Sequence, residues 1–233
     1  MRFLLSLWKM FCYAAGTAVI GLAVYEFWFF AQILYWVEHN PTTTRVMDAR
    51  LEAFRQNKPK ALEQIWTDYE RISIHLKRAI IIAEDAKFVD HEGFDWEGIQ
   101  RAMDKNQRRG KFVAGGSTIT QQLAKNLFLS GERSLLRKGQ EAILAAMLEA
   151  SMDKRRIFEI YLNVAEWGEN VFGAEAAARH YFGVEAASLE PEQAARLAAM
   201  LPRPRYYDRN RDSAYLANYS ESILAQMSAA QVP

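Results

Sequence analysis

The chain has 233 residues, half of them hydrophobic, and a formal net charge of +1. This length suits one sizeable core, or one core with a membrane segment, and is too short for two large independent domains. The balanced charge makes nucleic acid a weak candidate partner, and the single cysteine, Cys12, excludes an intrachain disulfide.

The first predicted element is a membrane span over residues 10–37, which are almost free of charge. About 20 apolar residues cross a hydrocarbon core of about 30 Å in a helix. Arg2 and Lys9 precede the segment, and Trp28, Tyr35 and Trp36 crowd its far end. We therefore expect a cytoplasmic N-terminus over residues 1–9, a transmembrane anchor over 10–37 and the remaining chain outside the cytoplasm.

Two other interpretations of this segment are weaker. A cleaved signal peptide ends in small residues, whereas the far side here carries bulky aromatic residues at positions 27–30. A buried core helix is disfavoured by the length, although Glu26 is costly in lipid. A span that begins at residues 4–7 would bring Glu26 near the outer headgroups.

The soluble part is predicted to be mainly α-helical. Residues 38–60 are polar and mixed, so we expect a connector there and a folded domain over residues 61–233. Four stretches place apolar residues at helical spacing. They are Ile72, Leu76, Ala79, Ile80 and Ala83; Ile143, Met147 and Leu148; Ile157, Ile160, Tyr161 and Val164; and Ala194, Leu197, Ala198 and Leu201.

The first candidate for chemistry is Glu84, which follows the predicted helix ending near Ala83. A carboxylate at the C-terminus of a helix faces the negative end of the helix dipole, and burial would raise its pKa further. General acids and bases that work near neutral pH need such a raised pKa. From spacing alone, a solvated charge at the end of a helix is the commoner explanation.

The second candidate is GGSTITQQLAKN, residues 115–126. Thr118 and Gln121 fit a capping box that starts a helix, and glycines before a helix N-terminus are typical of anion sites. Four polar residues then share neighbouring helix faces. They are Gln121, Gln122, Lys125 and Asn126. An amphipathic helix with a solvated side explains the same pattern.

The third candidate places Glu141 beside Arg137 and Lys138, with Arg133 one turn earlier. A surface ion pair is the common explanation of this spacing. The alternative is a diphosphate site in which Glu141 orients the cations or binds a metal. The four histidines, His39, His75, His91 and His180, show no metal-ligand spacing, so no metal site of histidines is predicted.

Together these segments resemble glycosyltransferase family 51, the peptidoglycan glycosyltransferases, and most closely its monofunctional biosynthetic members. Six blocks occur in order: EDAKFVDHEG, GGSTITQQLAKN, RKGQEAILAAMLE, KRRIFEIYLNVAEWG, VFGAEAAARHYFG and EQAARLAAMLPRP. The block NVAEWGENVFG departs from the pattern of many bifunctional relatives, which leaves the roles of Glu166 and Trp167 open. The resemblance implies a lysozyme-like, two-lobed helical domain with a smaller jaw lobe, preceded by one transmembrane helix.

The resemblance also implies residue roles. Glu84 looks like the base that deprotonates the GlcNAc 4-hydroxyl of lipid II, and Glu141 like the second acid, which assists departure of the lipid diphosphate. Inversion at the anomeric carbon then needs no glycosyl-enzyme. The substrate-binding residues implied are Asp85, Phe88, His91, Ser117, Thr118, Gln121, Gln122, Lys125, Asn126, Arg133, Arg137, Lys138 and Asn163.

The expected partners are lipid II, lipid-linked glycan, the membrane and proteins of cell division or elongation. The resemblance implies moenomycin binding, a place in the bacterial inner membrane with a periplasmic catalytic domain, and no cofactor except, at most, magnesium or manganese at the diphosphate. We expect no transpeptidase activity, because neither Ser-x-x-Lys match, at Ser6 or Ser151, has its partner motifs. A lytic muramidase and a non-catalytic scaffold are the alternative functions.

Overall fold

The structure is a computed structural model that describes residues 2–55, 61–111, 115–129 and 134–233. The chain divides into two compact units, Met1–His39 and Asn40–Pro233.

The first unit is one long helix, α1 (Arg2–Glu38). Its residues Phe3–Glu38 are long and apolar enough to span a membrane. At 1.5 Å per residue, α1 is about 55 Å long, which exceeds the hydrocarbon core by about 25 Å. The helix therefore begins earlier than the expected anchor at residues 10–37. A span that uses its first 20 residues would leave Glu26 at or beyond the outer headgroups.

The second unit is helical apart from two short strands. Its helices are α2 (Arg45–Arg55), α3 (Ile74–Glu84), α4 (Trp96–Arg109), α5 (Ile119–Phe128), α6 (Leu135–Ser151), α7 (Lys154–Val164), α8 (Ala174–Phe182), α9 (Pro191–Met200), α10 (Pro204–Arg209) and α11 (Ala214–Gln226). Short 3-10 helices lie at Tyr69–Arg71, Ala186–Ser188 and Met227–Ala229. The strands β1 (Glu63–Gln64) and β2 (Val171–Phe172) pair in parallel. The prediction of a mainly α fold with a long apolar N-terminal helix is confirmed.

Side chains fix where several helices begin. Ser73, Asp95, Ser134 and Asp153 each accept a backbone N–H of the helix that follows. Thr118 forms the predicted capping box with Gln121 at the start of α5. Such caps satisfy N–H groups that have no partner inside the helix, so these starts are determined locally.

Two groups of packed helices form the core of the second unit. Helix α9 packs against α3 and α11, and α5 packs against α6 and α7. The buried faces of α3, α7 and α9 are those that the periodic stretches predicted, with Leu76, Ile80, Ile157 and Leu197 fully inaccessible. On α6 the prediction is wrong at Ile143, which is 45% exposed, because the buried face is formed by Leu144, Ala145 and Leu148 instead. This packing brings the end of α3, which carries Glu84, to the start of α5.

The segment expected to be a connector contains helix α2. Met47 on α2 is buried, and α2 packs against α5. Its apolar residues lie at positions 46, 47, 49, 51, 53 and 54, alternating with charged ones over a short stretch, so a helical period did not stand out from the mixed composition around it. Tertiary packing stabilises such a short helix, because an isolated helix of this length is marginal in water.

Candidate active site

A cavity of about 740 Å³ opens between α4, the segment at residues 115–117, α5 and α6. Seven of the residues predicted from the sequence line it, namely Ser117, Gln121, Gln122, Lys125, Arg137, Lys138 and Glu141. The glycines before α5 have a packing role here, because a Cβ at Gly116 would lie 2.9 Å from Cα of Ile99 on α4. Residues that are far apart in sequence thus share one concave surface, as expected of a ligand site.

Glu84 is the last residue of α3 and does not itself line this cavity, but it contacts Gln122, which does. Its Oε2 accepts a hydrogen bond of 2.7 Å from Nε2 of Gln122. Its Oε1 is buried and has no hydrogen-bond partner among the described residues. Burial raises the pKa of Glu84 from 4.5 to about 7, and Asp85 adds to this, while Gln122 and Lys125 oppose it. Glu84 is therefore able to exchange a proton near neutral pH.

Tyr161 on α7 controls the orientation of Gln122. Its hydroxyl donates to Oε1 of Gln122 at 3.1 Å, which turns the amide NH₂ toward Glu84. Burial, followed by the nearby Glu84 and Asp85, raises the pKa of Tyr161 well above its usual value. Tyr161 therefore stays a hydrogen donor. Its helical spacing placed it only in the core, so sequence reasoning missed this contact.

Asp85 joins the end of α3 to the start of α5. Nε2 of His91 lies 3.0 Å from Oδ1 of Asp85, and Oδ2 accepts the backbone N–H of Ile119 at 3.0 Å. A carboxylate at the N-terminus of a helix is favoured by the helix dipole. Because Asp85 is buried, this link holds Glu84 in a fixed position relative to Gln122.

Thr118 also connects the loops beneath the cavity. Its hydroxyl donates to the carbonyl of Gly93 at 2.7 Å, and the side chain is buried. Gln121 is engaged in the capping box through its Oε1. The Thr118 hydroxyl and the Gln121 amide, both predicted to bind substrate, therefore also stabilise the loops and the helix start at the site.

A cationic wall lies on the α6 side of the cavity. Nζ of Lys138 is 2.5 Å from Oε1 of Glu141 and 3.1 Å from Oγ of Ser117, and Arg137 lies 3.4 Å from Oε2 of Glu141. Burial lowers the pKa of Lys125, while Glu141 and Glu84 counteract this. Lys125 is thus close to both acids, and the wall carries an excess of positive charge. Arg133 lies outside the described residues.

The donor set at Glu141 does not suit a divalent cation. Both carboxylate oxygens already face Lys138 and Arg137. Within the described ranges, no group of three or more His, Cys, Asp or Glu residues is arranged to hold a metal. Magnesium binds through several oxygen ligands, often including phosphate, so we assign no step of the reaction to a metal at these residues.

A second cavity, of about 160 Å³, shares Gln122 and Lys125 with the first. Asn126, Val46 of α2 and Glu166 complete part of its wall. Gln122, the partner of Glu84, therefore stands between two cavities. Glu166 also forms a bidentate ion pair with Arg50 of α2, at 2.9 and 3.1 Å, and the neighbouring Trp167 is a buried core residue.

Phe88 and Asn163 lie outside the linings of both cavities. Phe88 is fully buried, with its ring 5.6 Å from that of Phe158. Asn163 is also fully buried and makes hydrogen bonds to the backbone of Thr67 and Glu159. The structure thus surrounds these two predicted substrate-binding residues with core neighbours.

Comparison with known proteins gives one consistent result. Residues 50–228 match the family described as Transglycosylase. A biosynthetic peptidoglycan transglycosylase of Dechloromonas aromatica is 63% identical over 217 residues, which cover 92% of this chain and 94% of that protein. A protein of the same name from Methylobacillus flagellatus is 60% identical over 93% of this chain and 95% of that protein. Another from Nitrosospira multiformis is 55% identical over 97% of this chain and 97% of that protein. The chain therefore belongs to the transglycosylase family.

Proposed function

We propose that this protein is a peptidoglycan glycosyltransferase that polymerises glycan strands from lipid-linked precursors. The donor would be glycan linked to a lipid diphosphate, and the acceptor the GlcNAc 4-hydroxyl of lipid II. The observation that carries the proposal is the position of Glu84, a carboxyl with a pKa of about 7, beside a cavity walled by cations. The relatives, which are biosynthetic peptidoglycan transglycosylases, support it.

Glu84 is the general base of the proposed reaction. Its carboxylate accepts the proton of the acceptor hydroxyl while that oxygen attacks the anomeric carbon of the donor. A carboxyl with a pKa of about 7 is ionised in about half of the molecules at neutral pH, and its ionised form is a stronger base than an ordinary carboxylate. Gln122 and Tyr161 hold Glu84 in place through the hydrogen bonds already described. One displacement inverts the anomeric carbon, and no covalent enzyme intermediate is formed.

Lys125, Arg137 and Lys138 stabilise the leaving diphosphate. The bond from the anomeric carbon to the diphosphate oxygen breaks as the new glycosidic bond forms, and the electron pair leaves with the diphosphate. Fixed positive charges near that developing charge lower the barrier. Glu141 holds Arg137 and Lys138 in position through its ion pairs with both. The family resemblance implies that Arg133 also contacts the diphosphate.

The rim of the first cavity suits an amphiphilic substrate. Leu135 and Leu136 at the start of α6 are 91% and 89% exposed, directly before Arg137 and Lys138. Large exposed apolar side chains beside cations fit a lipid tail next to its diphosphate. We propose that α1 anchors the domain to the inner membrane, with its N-terminus in the cytoplasm, so that enzyme and substrates meet in one leaflet.

We assign positioning roles to the more buried of the predicted residues. Asp85, His91 and Thr118 connect the loop after α3 to α5. Phe88 packs against Phe158 of α7, and Asn163, itself on α7, makes a hydrogen bond to the backbone of Thr67. In this assignment Ser117, Gln122, Lys125 and Asn126 contact substrate, because they line the cavities.

The test is incubation of the detergent-purified full chain with labelled lipid II, followed by gel separation of the products. We expect a ladder of glycan chains that moenomycin abolishes. Shortening of preformed glycan instead of growth would identify a muramidase. Folded protein that gives neither product, with or without magnesium, would favour a non-catalytic scaffold.

A further inference from the structure

Four tyrosines form a continuous row on α10 and α11. The ring centroids of Tyr206 and Tyr207 are 5.2 Å apart, those of Tyr207 and Tyr215 are 6.4 Å apart, and those of Tyr215 and Tyr219 are 6.0 Å apart. Tyr206 and Tyr215 are 45% and 64% exposed, whereas Tyr207 is buried and supports them from below. We call these four residues the tyrosine row.

One end of the row contacts the catalytic element. The hydroxyl of Tyr219 donates to the carbonyl of Ala83 at 3.1 Å, directly before Glu84. Burial and, next, the charge of Glu84 raise the pKa of Tyr219 to about 12. Tyr219 is therefore close to the reacting carboxyl, although none of the six sequence blocks includes it.

The other end of the row adjoins the second cavity. The guanidinium of Arg203 lies 4.5 Å from the ring centroid of Tyr206, an attractive cation–π contact that holds the ring. Pro202 and Pro204, on either side of Arg203, line the second cavity with Gln122 and Lys125. One end of the row thus contacts α3 directly before Glu84, and the other end lies next to the segment that lines the second cavity.

The chemistry of the row fits sugar rings. Exposed tyrosines offer a flat apolar face and a hydroxyl, and they lose little conformational entropy when they make contacts. A pyranose ring offers the complementary surface, with C–H groups on its faces and hydroxyls at its edge. The exposed aliphatic side chains Leu135 and Leu136, better suited to a lipid tail, belong to α6 and not to this row.

We propose that the tyrosine row is a glycan-binding surface that holds sugar rings of the strand next to the reaction centre. This inference rests on the proposed function, because it takes the glycan of that reaction as the occupant. Tyr206 and Tyr215 supply the exposed contacts, while Tyr207 and Tyr219 fix them to the body of the domain.

The test measures binding of a lipid-free GlcNAc–MurNAc octasaccharide to the detergent-solubilised full chain. We expect Tyr206→Ala and Tyr215→Ala each to raise Kd about fivefold, and the double variant more. Tyr206→Trp and Tyr215→Trp, which keep an aromatic face, should retain binding. Trp96→Ala is the matched control, because Trp96 is 73% exposed but lines neither cavity. A double alanine variant that is folded by circular dichroism and binds as tightly as the unmodified chain would overturn the proposal.

Hydroxyl-radical footprinting separates glycan from membrane as the occupant. With the full chain in vesicles of phosphatidylethanolamine and phosphatidylglycerol, we expect Tyr206 and Tyr215 to become protected only when glycan is added. Protection by the vesicles alone would assign the row to the bilayer and contradict the proposal. Tyrosine-dependent glycan binding by a chain that fails to polymerise lipid II would leave this inference standing and remove the proposed function.

Discussion

At Glu84, burial and hydrogen bonding act in opposite directions. Burial penalises the carboxylate, while the hydrogen bond from Gln122 and the charge of Lys125 favour it. The result is a pKa of about 7, between that of a free carboxyl and that of a fully buried one. The pKa of Glu84 therefore depends on its neighbours as well as on its own burial.

The pH dependence of the rate tests this balance. Because the base must be ionised, kcat/KM for lipid II should rise with pH, with an apparent pKa near 7, and level off above it. Gln122→Leu removes a contact that favours the carboxylate, so the rise should move to higher pH. A rate that is constant from pH 5 to pH 8 in the unmodified chain would contradict the assignment.

The same shift makes a prediction for stability. Ionisation of Glu84 costs more in the folded state than in the unfolded state, so its contribution to stability is lost as pH rises from about 4.5 to about 7. Glu84→Gln should therefore raise the free energy of unfolding at pH 8 by about 3 kcal/mol. Below pH 4.5 the variant and the unmodified chain should match. Denaturant unfolding at both pH values measures this, and a destabilised variant at pH 8 would refute it.

Helix α2 shows how an element outside the motifs can shape the site. The ion pair between Arg50 and Glu166 is partly buried, with side chains 26% and 13% exposed. It attaches α2 to the loop after α7, and Val46 of α2 lines the second cavity. Loss of this pair should therefore affect both stability and substrate binding.

Substitution of Glu166 tests the contribution of this ion pair. Glu166→Gln should lower stability by about 1 to 3 kcal/mol, because it leaves Arg50 without its bidentate partner. KM for lipid II should rise more than kcat falls. Lys87→Met, which breaks the exposed pair with Glu97, is the control and should leave stability close to that of the unmodified chain, because solvent screens this pair. Equal effects of the two substitutions would show that the buried pair has no special role.

Local sequence signals predicted most of the helices and their starts. They did not predict the contacts between residues that are distant in sequence. The capping box at Thr118 and the helices around Leu76, Ile157 and Leu197 follow from spacing within a few residues. Asp85 instead contacts Ile119, 34 positions away, and Tyr161 contacts Gln122, 39 positions away. No local pattern encodes such pairs. The tyrosine row was missed for the same reason, since the ring contact between Tyr207 of α10 and Tyr215 of α11 joins its two halves.

At the scale of the whole chain, the two units have different tasks in the proposed reaction. The second unit has its own core, and α1 supplies a membrane-length apolar segment. Confinement of enzyme and lipid substrate to one leaflet raises their effective concentration without any new contact.

Deletion of residues 2–39 tests the role of the anchor. The remaining unit should unfold at the same temperature as the corresponding transition in the full chain. Its rate on lipid II in vesicles should fall about a hundredfold, because it loses membrane confinement. An unrelated membrane-spanning helix in place of α1 should restore the rate. Undiminished activity of the shortened chain in vesicles would show that anchoring is dispensable.

The central claim is that Glu84 is the base for glycan polymerisation. The most direct measurement is the initial rate of chain growth from labelled lipid II by the full chain and by Glu84→Gln, side by side at pH 8. We predict that the unmodified chain builds a glycan ladder and that the folded variant loses at least about a thousandfold in rate. A variant that polymerises within tenfold of the unmodified rate would contradict the account.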